Sequence, residues 1–518
     1  MTKRHKPWLR LGLCISLLLT SCNVSELHAN NSKQSEEENN EMERRSISSR
    51  HRAEFHGDKH SYTARAFETF LNDEKGQPKA SIFAVSYTLD KVKDTNKRPI
   101  TFIFNGGPGS SSVWLHMGLF GPKRIRVPSD GQPAGAAPYV IEDNPQSLLA
   151  HSDLVFIDPV GTGYSRTFGE HKASDYWGII QDAEAITSFI RTYLTEEQRW
   201  NSPRYLAGES YGTVRASVLA NMMQSNFTGI TVNGVILISA ILDFQAGRFT
   251  RGNDTPHVTF LPSYAATAWH HKKLPEQAED LESFLDEVRE FARTDYLTAL
   301  FKGNLLSSTE EEAIIDRLHA YTGLSKNYIK QTNLRIHAHR FMKELLREEG
   351  KTIGRFDSRY LGKDYDDAGE TFDNDASAYG IDGAYVASIN HYFSHDLKVN
   401  WTDEYQILNT KVGRSWEWSL EKGKPTSQFI NVAPLLGKAM VENPDLRVYV
   451  ANGYYDLATP FYSTEYALSR HGIDPERLDM SYFQAGHMMY THEPSFQKLT
   501  KELGEFYQQG PKPPLVSH

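Results

Sequence analysis

Four short apolar runs, separated by turn signals and helical patterns, constrain the fold of this chain more than any other feature. They are 98-RPITFIF-104, 152-SDLVFID-158, 203-PRYLA-207 and 234-GVILISAIL-242. Near-continuous apolar runs are typical of parallel strands that are covered on both faces. Between the second and third runs, residues 179–194 place apolar side chains at a helical period. Strands that alternate with helices of this size predict an α/β fold with a doubly wound, mostly parallel sheet.

The pattern changes in the second half of the chain, which predicts how the core is divided. Residues 244–429 are helical, charged and aromatic, and strand-like runs resume at 446-LRVYVANG-453 and 478-LDMSYFQAG-486. We therefore expect an α/β core formed by residues 60–243 and 430–518. A large, mainly helical cap insertion at 244–429 interrupts it.

The N-terminal residues have the pattern of a targeting segment. A basic start, MTKRHKPWLR, precedes the apolar run 11-LGLCISLLLT-20, which is too short to span a bilayer as a helix. The run ends in 19-LTSC-22, which resembles the lipobox of bacterial lipoproteins. On that resemblance, residues 1–21 are a signal peptide and acylated Cys22 anchors an exported protein to a membrane, in the periplasm or at the cell surface. The alternative is an ordinary secretory signal in which Cys22 has no role.

A polar segment follows the targeting sequence. Residues 23–53 include 34-QSEEENNEMERR-45 and have almost no apolar periodicity. Such a segment cannot bury enough apolar surface to order itself. We expect a flexible tether over residues 22–59 and a folded body that begins near His60.

Composition excludes several classes of function. The formal net charge of −9 over 518 residues argues against a nucleic-acid partner held by phosphate contacts. The only cysteines are Cys14 and Cys22, so the folded body has no disulfide, no thiol nucleophile and no cysteine-based metal site. His391 and His395 are four residues apart, but Tyr392 stands where the zinc-hydrolase motif requires Glu. The sequence implies no cofactor and no metal.

The segment 208-GESYG-212 fits the pattern Gly-x-Ser-x-Gly. It follows the strand-like residues 204–207 and precedes the helix-like run 213-TVRASVLANMM-223. A strand, a sharp turn and a helix are the setting of a nucleophile elbow. We therefore predict that Ser210 is a nucleophile, and the alternative is a glycine-flanked turn without chemistry.

A serine nucleophile requires a histidine base and a carboxylate that orients it. In the chain order of α/β hydrolases, the acid and then the histidine follow the serine. Asp456 and His487 come just after the late strand-like runs 447–453 and 481–485, at the edge where this architecture forms its sites. We predict Asp456 as the acid and His487 as the base, with His492 as the alternative base.

Three further segments, together with 208-GESYGT-213, resemble the serine carboxypeptidases, a peptidase family with the α/β-hydrolase fold. They are 105-NGGPGSSS-112 with 118-GLFGP-122, 158-DPVGTGYS-165, and 485-AGHMMYTHEP-494. The resemblance covers residues 61–243 and 430–510 and does not extend to the cap. It implies a serine-type carboxypeptidase that releases C-terminal residues from peptides through an acyl-enzyme.

The resemblance also implies roles for four residues near the serine. The backbone N–H groups of Tyr211 and Gly107 would hold the oxyanion, which needs two preorganised donors. Asn105 and Glu209 would bind the terminal carboxylate of the substrate. A buried carboxyl group such as that of Glu209 can donate a hydrogen bond when its pKa is raised.

The chain departs from the family pattern at three positions. Ile103 stands where the family commonly has Trp, Leu119 where it commonly has Glu, and Ser110 where it has Cys. Leu119 removes the acid that would share a proton with Glu209. This departure leaves open an esterase, an acyltransferase or another peptidase on the same triad. A catalytically silent surface lipoprotein that only binds peptide is the remaining alternative, and the sequence specifies no oligomeric state.

Overall fold

The structure is a computed structural model that describes residues 42–225 and 228–509. The strands are β1 (Ser46–Phe55), β2 (Asp58–Asn72), β3 (Pro78–Leu89), β4 (Ile100–Phe104), β5 (Lys123–Arg126), β6 (Val140–Asp143), β7 (Asp153–Asp158), β8 (Arg166–Thr167), β9 (Arg204–Glu209), β10 (Gly234–Ile238), β11 (Thr352–Ile353), β12 (Leu361–Gly362), β13 (Arg447–Gly453) and β14 (Leu478–Phe483). The helices are α1 (Val113–Leu115), α2 (Ile179–Glu196), α3 (Tyr211–Gln224), α4 (Thr255–His270), α5 (Leu281–Phe291), α6 (Leu297–Lys302), α7 (Ser308–Thr322), α8 (Lys326–Gln331), α9 (Ala338–Glu344), α10 (Ala376–Tyr379), α11 (Asp382–His395), α12 (Thr410–Arg414), α13 (Ala433–Glu442), α14 (Phe461–Leu468) and α15 (Glu493–Gln508).

One large mixed sheet organises the core. Its strand order is β1-β2-β3-β7-β4-β9-β10-β13-β14, and β8 pairs with β3. The pairs from β1 to β7 are antiparallel, whereas every pair from β7 to β14 is parallel. The predicted α/β class with a mostly parallel sheet is confirmed, and the four apolar runs of the sequence form β4, β7, β9 and β10.

The central strands are buried along their whole length because helices cover both faces of the sheet. Every residue of β4, β7 and β10 is buried. Ile186 of α2, Val214 of α3 and Leu436 of α13 belong to the apolar cluster on one face. Ile389 of α11 and Leu499 of α15 belong to the cluster on the other face. This two-sided cover explains why the strands are continuously apolar rather than alternating.

The ordered body begins earlier than the sequence indicates. We expected a tether over residues 22–59 and a core from His60, but β1 pairs with β2 from Ser46 to Phe55. The side chains of β1 alternate between exposed and partly buried, because β1 is the edge strand of the sheet. An edge strand of this kind has no continuous apolar run, so its sequence does not stand out. The predicted signal peptide, residues 1–21, and Cys22 lie outside the described residues.

The chain between β10 and α13 forms the insertion. It contains helices α4 to α12 and the short β11–β12 ladder. Leu261, Leu285, Leu318 and Phe341 belong to a third apolar cluster, which also includes Phe461 of α14. Helix α11 instead packs on the sheet cluster that contains Ile389. No helix in the described part of the chain is both long and apolar enough to cross a bilayer.

Candidate active site

Ser210 occupies a sharp turn between the central strand β9 and helix α3. Its φ is 59°, a region that residues other than glycine rarely adopt. The Ser210 N–H donates to the carbonyl oxygen of Ile238 at 3.0 Å. A Cβ on Gly212 would lie 2.6 Å from the carbonyl oxygen of Phe104, so glycine is required for the elbow to pack against β4. The predicted strand, turn and helix are present.

His487 and Asp456 meet behind the elbow. The Nδ1 atom of His487 lies 2.7 Å from Oδ2 of Asp456. Asp456 comes three residues after β13, and His487 comes four residues after β14. The two strands are parallel neighbours, so their carboxyl ends bring the two loops together at one edge of the sheet. The predicted pairing of acid and histidine is therefore present in the geometry.

Asp456 has the hydrogen-bond donors that a buried carboxylate requires. Its side chain is fully buried. The N–H groups of Ala458 and Thr459 donate to Oδ1 at 2.7 and 2.9 Å, and the Thr459 hydroxyl donates to Oδ2 at 2.7 Å. These donors hold the carboxyl group in one orientation. Asp456 can therefore fix the tautomer of His487 with the proton on Nδ1, which leaves Nε2 free to act as a base.

The charge state of His487 is set by opposing effects. Burial lowers its pKa, but the adjacent Asp456 carboxylate and the hydrogen bond to it outweigh burial, and the net pKa is raised. His487 and Ser210 both line the same cavity. Within the described residues, no hydrogen bond joins the Ser210 hydroxyl to His487. Such contacts are often long in ligand-free enzymes and shorten in the substrate complex.

Two parts of the chain hold the backbone at Gly486 and His487. The Ser239 hydroxyl, just after β10, donates to the carbonyl oxygen of His487 at 2.6 Å. From the insertion, the carbonyl oxygen of Phe356 accepts the His487 N–H at 2.6 Å, and Asp357 accepts the Gly486 N–H at 3.2 Å. The Phe356 and His487 rings are 5.1 Å apart. The insertion therefore helps to position the base.

A glycine-rich loop after β4 lies against the elbow. A Cβ on Gly106 would lie 2.5 Å from the Tyr211 nitrogen and 2.8 Å from Ser210 Cβ. Only glycine permits this approach. Within the described chain, neither the Tyr211 N–H nor the Gly107 N–H donates to a protein acceptor. Two unpaired donors beside a serine hydroxyl can stabilise an oxyanion.

Glu209 is a buried carboxyl group beside the elbow. Burial raises its pKa to about 7, although the nearby His487 and hydrogen bonds from Tyr490 and Asn105 act in the opposite direction. The Tyr490 hydroxyl donates to Oε2 of Glu209 at 2.6 Å. The side-chain oxygen of Asn105 accepts the Leu115 N–H at 3.1 Å, which orients its amide. Glu209 can therefore carry a proton near neutral pH.

A cavity of about 530 Å³ brings the predicted residues together. Asn105, Gly107, Glu209, Ser210 and His487 all line it. The insertion contributes apolar side chains to the same cavity, namely Phe356, Ile381, Tyr385 and Val386. Asp456 and the Tyr211 side chain are buried and do not line it. The site thus lies between the core and the insertion, with its acid shielded from the cavity.

The structure distinguishes His487 from the alternative base. His492 pairs with the Ser495 hydroxyl at 2.7 Å and does not line the cavity. Leu119 and Ile103, the departures from the family pattern, are fully buried. His391 and His395 stack on α11, with ring centroids 4.0 Å apart. In the parts of the chain described, no group of three or more His, Cys, Asp or Glu residues could hold a metal ion.

Sequence reasoning missed several residues that support the site. They are Thr459, Phe356, Tyr385 and Tyr490. Thr459 and Tyr490 each follow a predicted triad residue by three positions, but sequence spacing does not show where a side chain points. Phe356 and Tyr385 lie in the insertion, where the sequence carries no motif.

The fold and the site together define a class of protein. A serine on the turn after the central parallel strand, followed along the chain by an acid and a histidine, is the arrangement of α/β hydrolases. The chain is a serine hydrolase of that fold. The family model for serine carboxypeptidases matches residues 77–485, and the chain belongs to that family. Ser210 and Asp456 lie within the matched residues, and His487 lies two residues beyond them.

Relatives match shorter segments. Serine carboxypeptidase-like 36 of Arabidopsis thaliana is 29% identical over 162 residues, which cover 30% of this chain and 31% of the relative. The pheromone-processing carboxypeptidase KEX1 of Coprinopsis cinerea is 30% identical over 167 residues, which cover 32% of this chain and 25% of the relative. The matches thus span about a third or less of these relatives.

One solved structure has a comparable overall fold. It is the crystal structure of Kex1(delta)p, a prohormone-processing carboxypeptidase from Saccharomyces cerevisiae. The comparison gives a TM-score of 0.53 at 16% identity and covers 87% of this chain and 91% of the other. At this identity the likeness supports the fold alone.

Proposed function

We propose that this protein is a serine-type carboxypeptidase that releases C-terminal residues from peptides. The observation that carries the proposal is the position of Glu209. This buried carboxyl group is adjacent to Ser210 in the chain, and both residues line one cavity with Asn105. A general serine hydrolase needs no ionisable group there, whereas a carboxypeptidase must recognise a terminal carboxylate beside the scissile bond.

The first half of the reaction forms an acyl-enzyme. The Ser210 oxygen attacks the carbonyl carbon of the last peptide bond, and Nε2 of His487 takes the hydroxyl proton. The carbonyl oxygen becomes an oxyanion that accepts hydrogen bonds from the Tyr211 and Gly107 N–H groups. The C–N bond then breaks, and His487 gives its proton to the departing amine. Asp456 stays ionised throughout and stabilises the imidazolium.

The second half restores the enzyme. After the released amino acid leaves, a water molecule enters and His487 removes one of its protons. The resulting hydroxide attacks the ester carbon, the Ser210–acyl bond breaks, and His487 returns a proton to the Ser210 oxygen. The products are a shortened peptide and a free amino acid, and no further reactant is needed.

Recognition of the terminal carboxylate depends on the protonation of Glu209. Protonated Glu209 and the Asn105 amide would donate hydrogen bonds to it, whereas ionised Glu209 would repel it. Because the pKa of Glu209 is raised to about 7 by burial, binding should weaken as the pH rises through that value. His487 must be neutral to act as a base, so the pH profile should be bell-shaped.

We also propose that the protein is exported and anchored to a membrane through acylated Cys22. The support is the pattern of residues 1–22, with 19-LTSC-22 after a basic and then an apolar segment. Incorporation of labelled palmitate into the wild-type chain but not into Cys22→Ser is expected. Equal labelling of the two chains would contradict the anchor and leave the peptidase proposal untouched.

Labelling with a fluorophosphonate tests the proposed nucleophile. The probe reacts with activated serines, so we expect labelling of the wild-type protein and none of Ser210→Ala. Ser377→Ala is the matched control, because Ser377 lines the same cavity but is not at the elbow, and its labelling should persist. Equal labelling of wild type and Ser210→Ala would contradict the nucleophile. Unlabelled, folded wild-type protein would favour the silent peptide-binding lipoprotein.

A further inference from the structure

The second acid expected beside Glu209 is replaced by an apolar residue, yet Glu209 does not lack a partner. Leu119 is fully buried in the same apolar cluster as Tyr490. The Tyr490 hydroxyl donates to Oε2 of Glu209 at 2.6 Å. Glu209 is therefore paired with a tyrosine hydroxyl in this chain, whereas the family pattern has a second carboxyl group in the site.

The position of Tyr490 is fixed by its surroundings. It lies in the short turn Met489–Thr491, directly after the His487 loop, and it is buried but does not line the cavity. A Cβ on Gly118 would collide with the Tyr490 ring and would lie 2.8 Å from the Tyr385 hydroxyl. The absence of a side chain at Gly118 therefore makes room for the ring. Because Glu209 lines the cavity and Tyr490 does not, Tyr490 contacts Glu209 from outside the cavity lining.

We propose that Tyr490 is a positioning residue that takes the place of the second acid, holding Oε2 of Glu209 so that Oε1 presents its proton to the terminal carboxylate of the substrate. The inference rests on the proposed carboxypeptidase function. It assigns Tyr490 a role through Glu209 rather than a contact with substrate.

A site in which a tyrosine lies beside Glu209 titrates differently from a site with two neighbouring carboxyl groups. Two neighbouring acids share one proton, and their titrations are coupled. Burial and the nearby Glu209 raise the pKa of Tyr490 well above its ordinary value, so Tyr490 remains a donor at all relevant pH values. Only Glu209 then gains or loses a proton in this pair. The other polar and titratable groups near Glu209 are His487, Asp456, Asn105 and Tyr385.

The hydrogen bond from Tyr490 determines the direction in which the pKa of Glu209 should shift when the hydroxyl is removed. A hydroxyl that donates to a carboxylate favours its ionised form, so Tyr490 lowers the pKa of Glu209 from the value that burial alone would give. Removal of the hydroxyl should raise the pKa of Glu209. Glu209 would then stay protonated to higher pH, although its carboxyl group would be less well oriented.

The experiment measures kcat/KM against pH for a blocked dipeptide with a free C-terminus. In Tyr490→Phe the alkaline limb should move to higher pH by about one unit, the size of shift that one hydrogen bond to a charged group supports. At acidic pH the loss should fall on KM more than on kcat, because the Tyr490 hydroxyl is hydrogen-bonded to Glu209 and not to a triad residue. If the Phe variant does not fold, Tyr490→Met removes the same hydroxyl with a side chain that adapts to the space.

Two further variants make the assignment specific. Tyr449→Phe removes a comparable hydrogen bond, from the Tyr449 hydroxyl to Glu502 at 2.7 Å, away from the cavity, and should not move the limb. Glu209→Gln cannot ionise, so it should abolish the alkaline limb, and adding Tyr490→Phe to it should cause no further pH shift.

The outcomes separate this inference from the proposed function. An alkaline limb that stays in place or moves to lower pH in an active Tyr490→Phe enzyme overturns the role of Tyr490 and leaves the carboxypeptidase proposal standing. A wild-type protein that labels with fluorophosphonate but does not cleave the free acid overturns the carboxypeptidase proposal itself.

Discussion

At the scale of single residues, the acid behind His487 is the most completely specified part of the site. Asp456 accepts hydrogen bonds from two backbone N–H groups and the Thr459 hydroxyl, in addition to its contact with His487. Asp456 is therefore held in one orientation before substrate binds.

Replacing Asp456 by Asn tests this description. The amide can donate to Nδ1 of His487 and so favours the tautomer with its proton on Nε2, which cannot accept the serine proton. We expect kcat on an ester substrate to fall by about 10⁴-fold, as for other triad acids, with an unchanged far-UV circular dichroism spectrum. A decrease smaller than about tenfold in a folded variant, against the 10⁴-fold expected of a triad acid, would contradict the role of Asp456.

The sequence predicts some residues of the site and not others for a physical reason. Ser210 lies in a local motif, and Asp456 and His487 follow apolar strands, so chain position alone places them at one edge of the sheet. The contact between Tyr490 and Glu209 depends on side-chain rotamers and on the missing side chain at Gly118. No local pattern contains that information.

At the scale of elements, Arg215 connects α3 to the glycine-rich loop and to α2. Its guanidinium is fully buried, pairs with Asp182 at 2.6 Å, and donates to the carbonyl oxygen of Asn105 at 2.7 Å. The elbow helix and the loop that carries Gly107 are thus tied by one side chain. We infer that Arg215 maintains the spacing of the two oxyanion donors.

Substituting Arg215 by Met should affect both stability and catalysis. The change leaves Asp182 buried without its partner, which should lower the free energy of unfolding by about 3–5 kcal/mol. The loop would also lose its anchor, and kcat should fall by up to about 100-fold. Urea denaturation and ester hydrolysis measure the two effects. The surface pair Arg340–Glu370 provides the control, since Arg340→Met should change neither the free energy of unfolding nor kcat. Wild-type stability in Arg215→Met would contradict this account.

The elements themselves were predictable to different degrees. The parallel strands were predictable because burial on both faces leaves them continuously apolar. The antiparallel edge strand β1 falls within the segment predicted as a tether. In β1 the side chains alternate between exposed and partly buried positions, and Arg50, His51 and Arg52 interrupt any apolar run. Edge strands need fewer apolar residues, so their composition resembles that of a linker.

At the scale of the whole molecule, the site depends on both the core and the insertion. The core supplies Ser210, Asp456 and His487, and the insertion holds the His487 backbone through Phe356 and lines the cavity with Tyr385. The presence of an insertion was predictable from the change in sequence pattern. Which of its residues face the serine was not, because that depends on how the helices pack on the sheet.

The central claim is that this serine hydrolase recognises a free C-terminus, and one comparison tests it directly. kcat/KM is measured for a blocked dipeptide as the free acid and as its C-terminal amide, at acidic and alkaline pH. We predict that the acid is cleaved about 10–100-fold faster below neutrality, the range that charge-assisted hydrogen bonds supply. The advantage should shrink as the pH passes the Glu209 pKa of about 7. Faster cleavage of the amide at acidic pH, or a ratio that does not change with pH, would contradict the account.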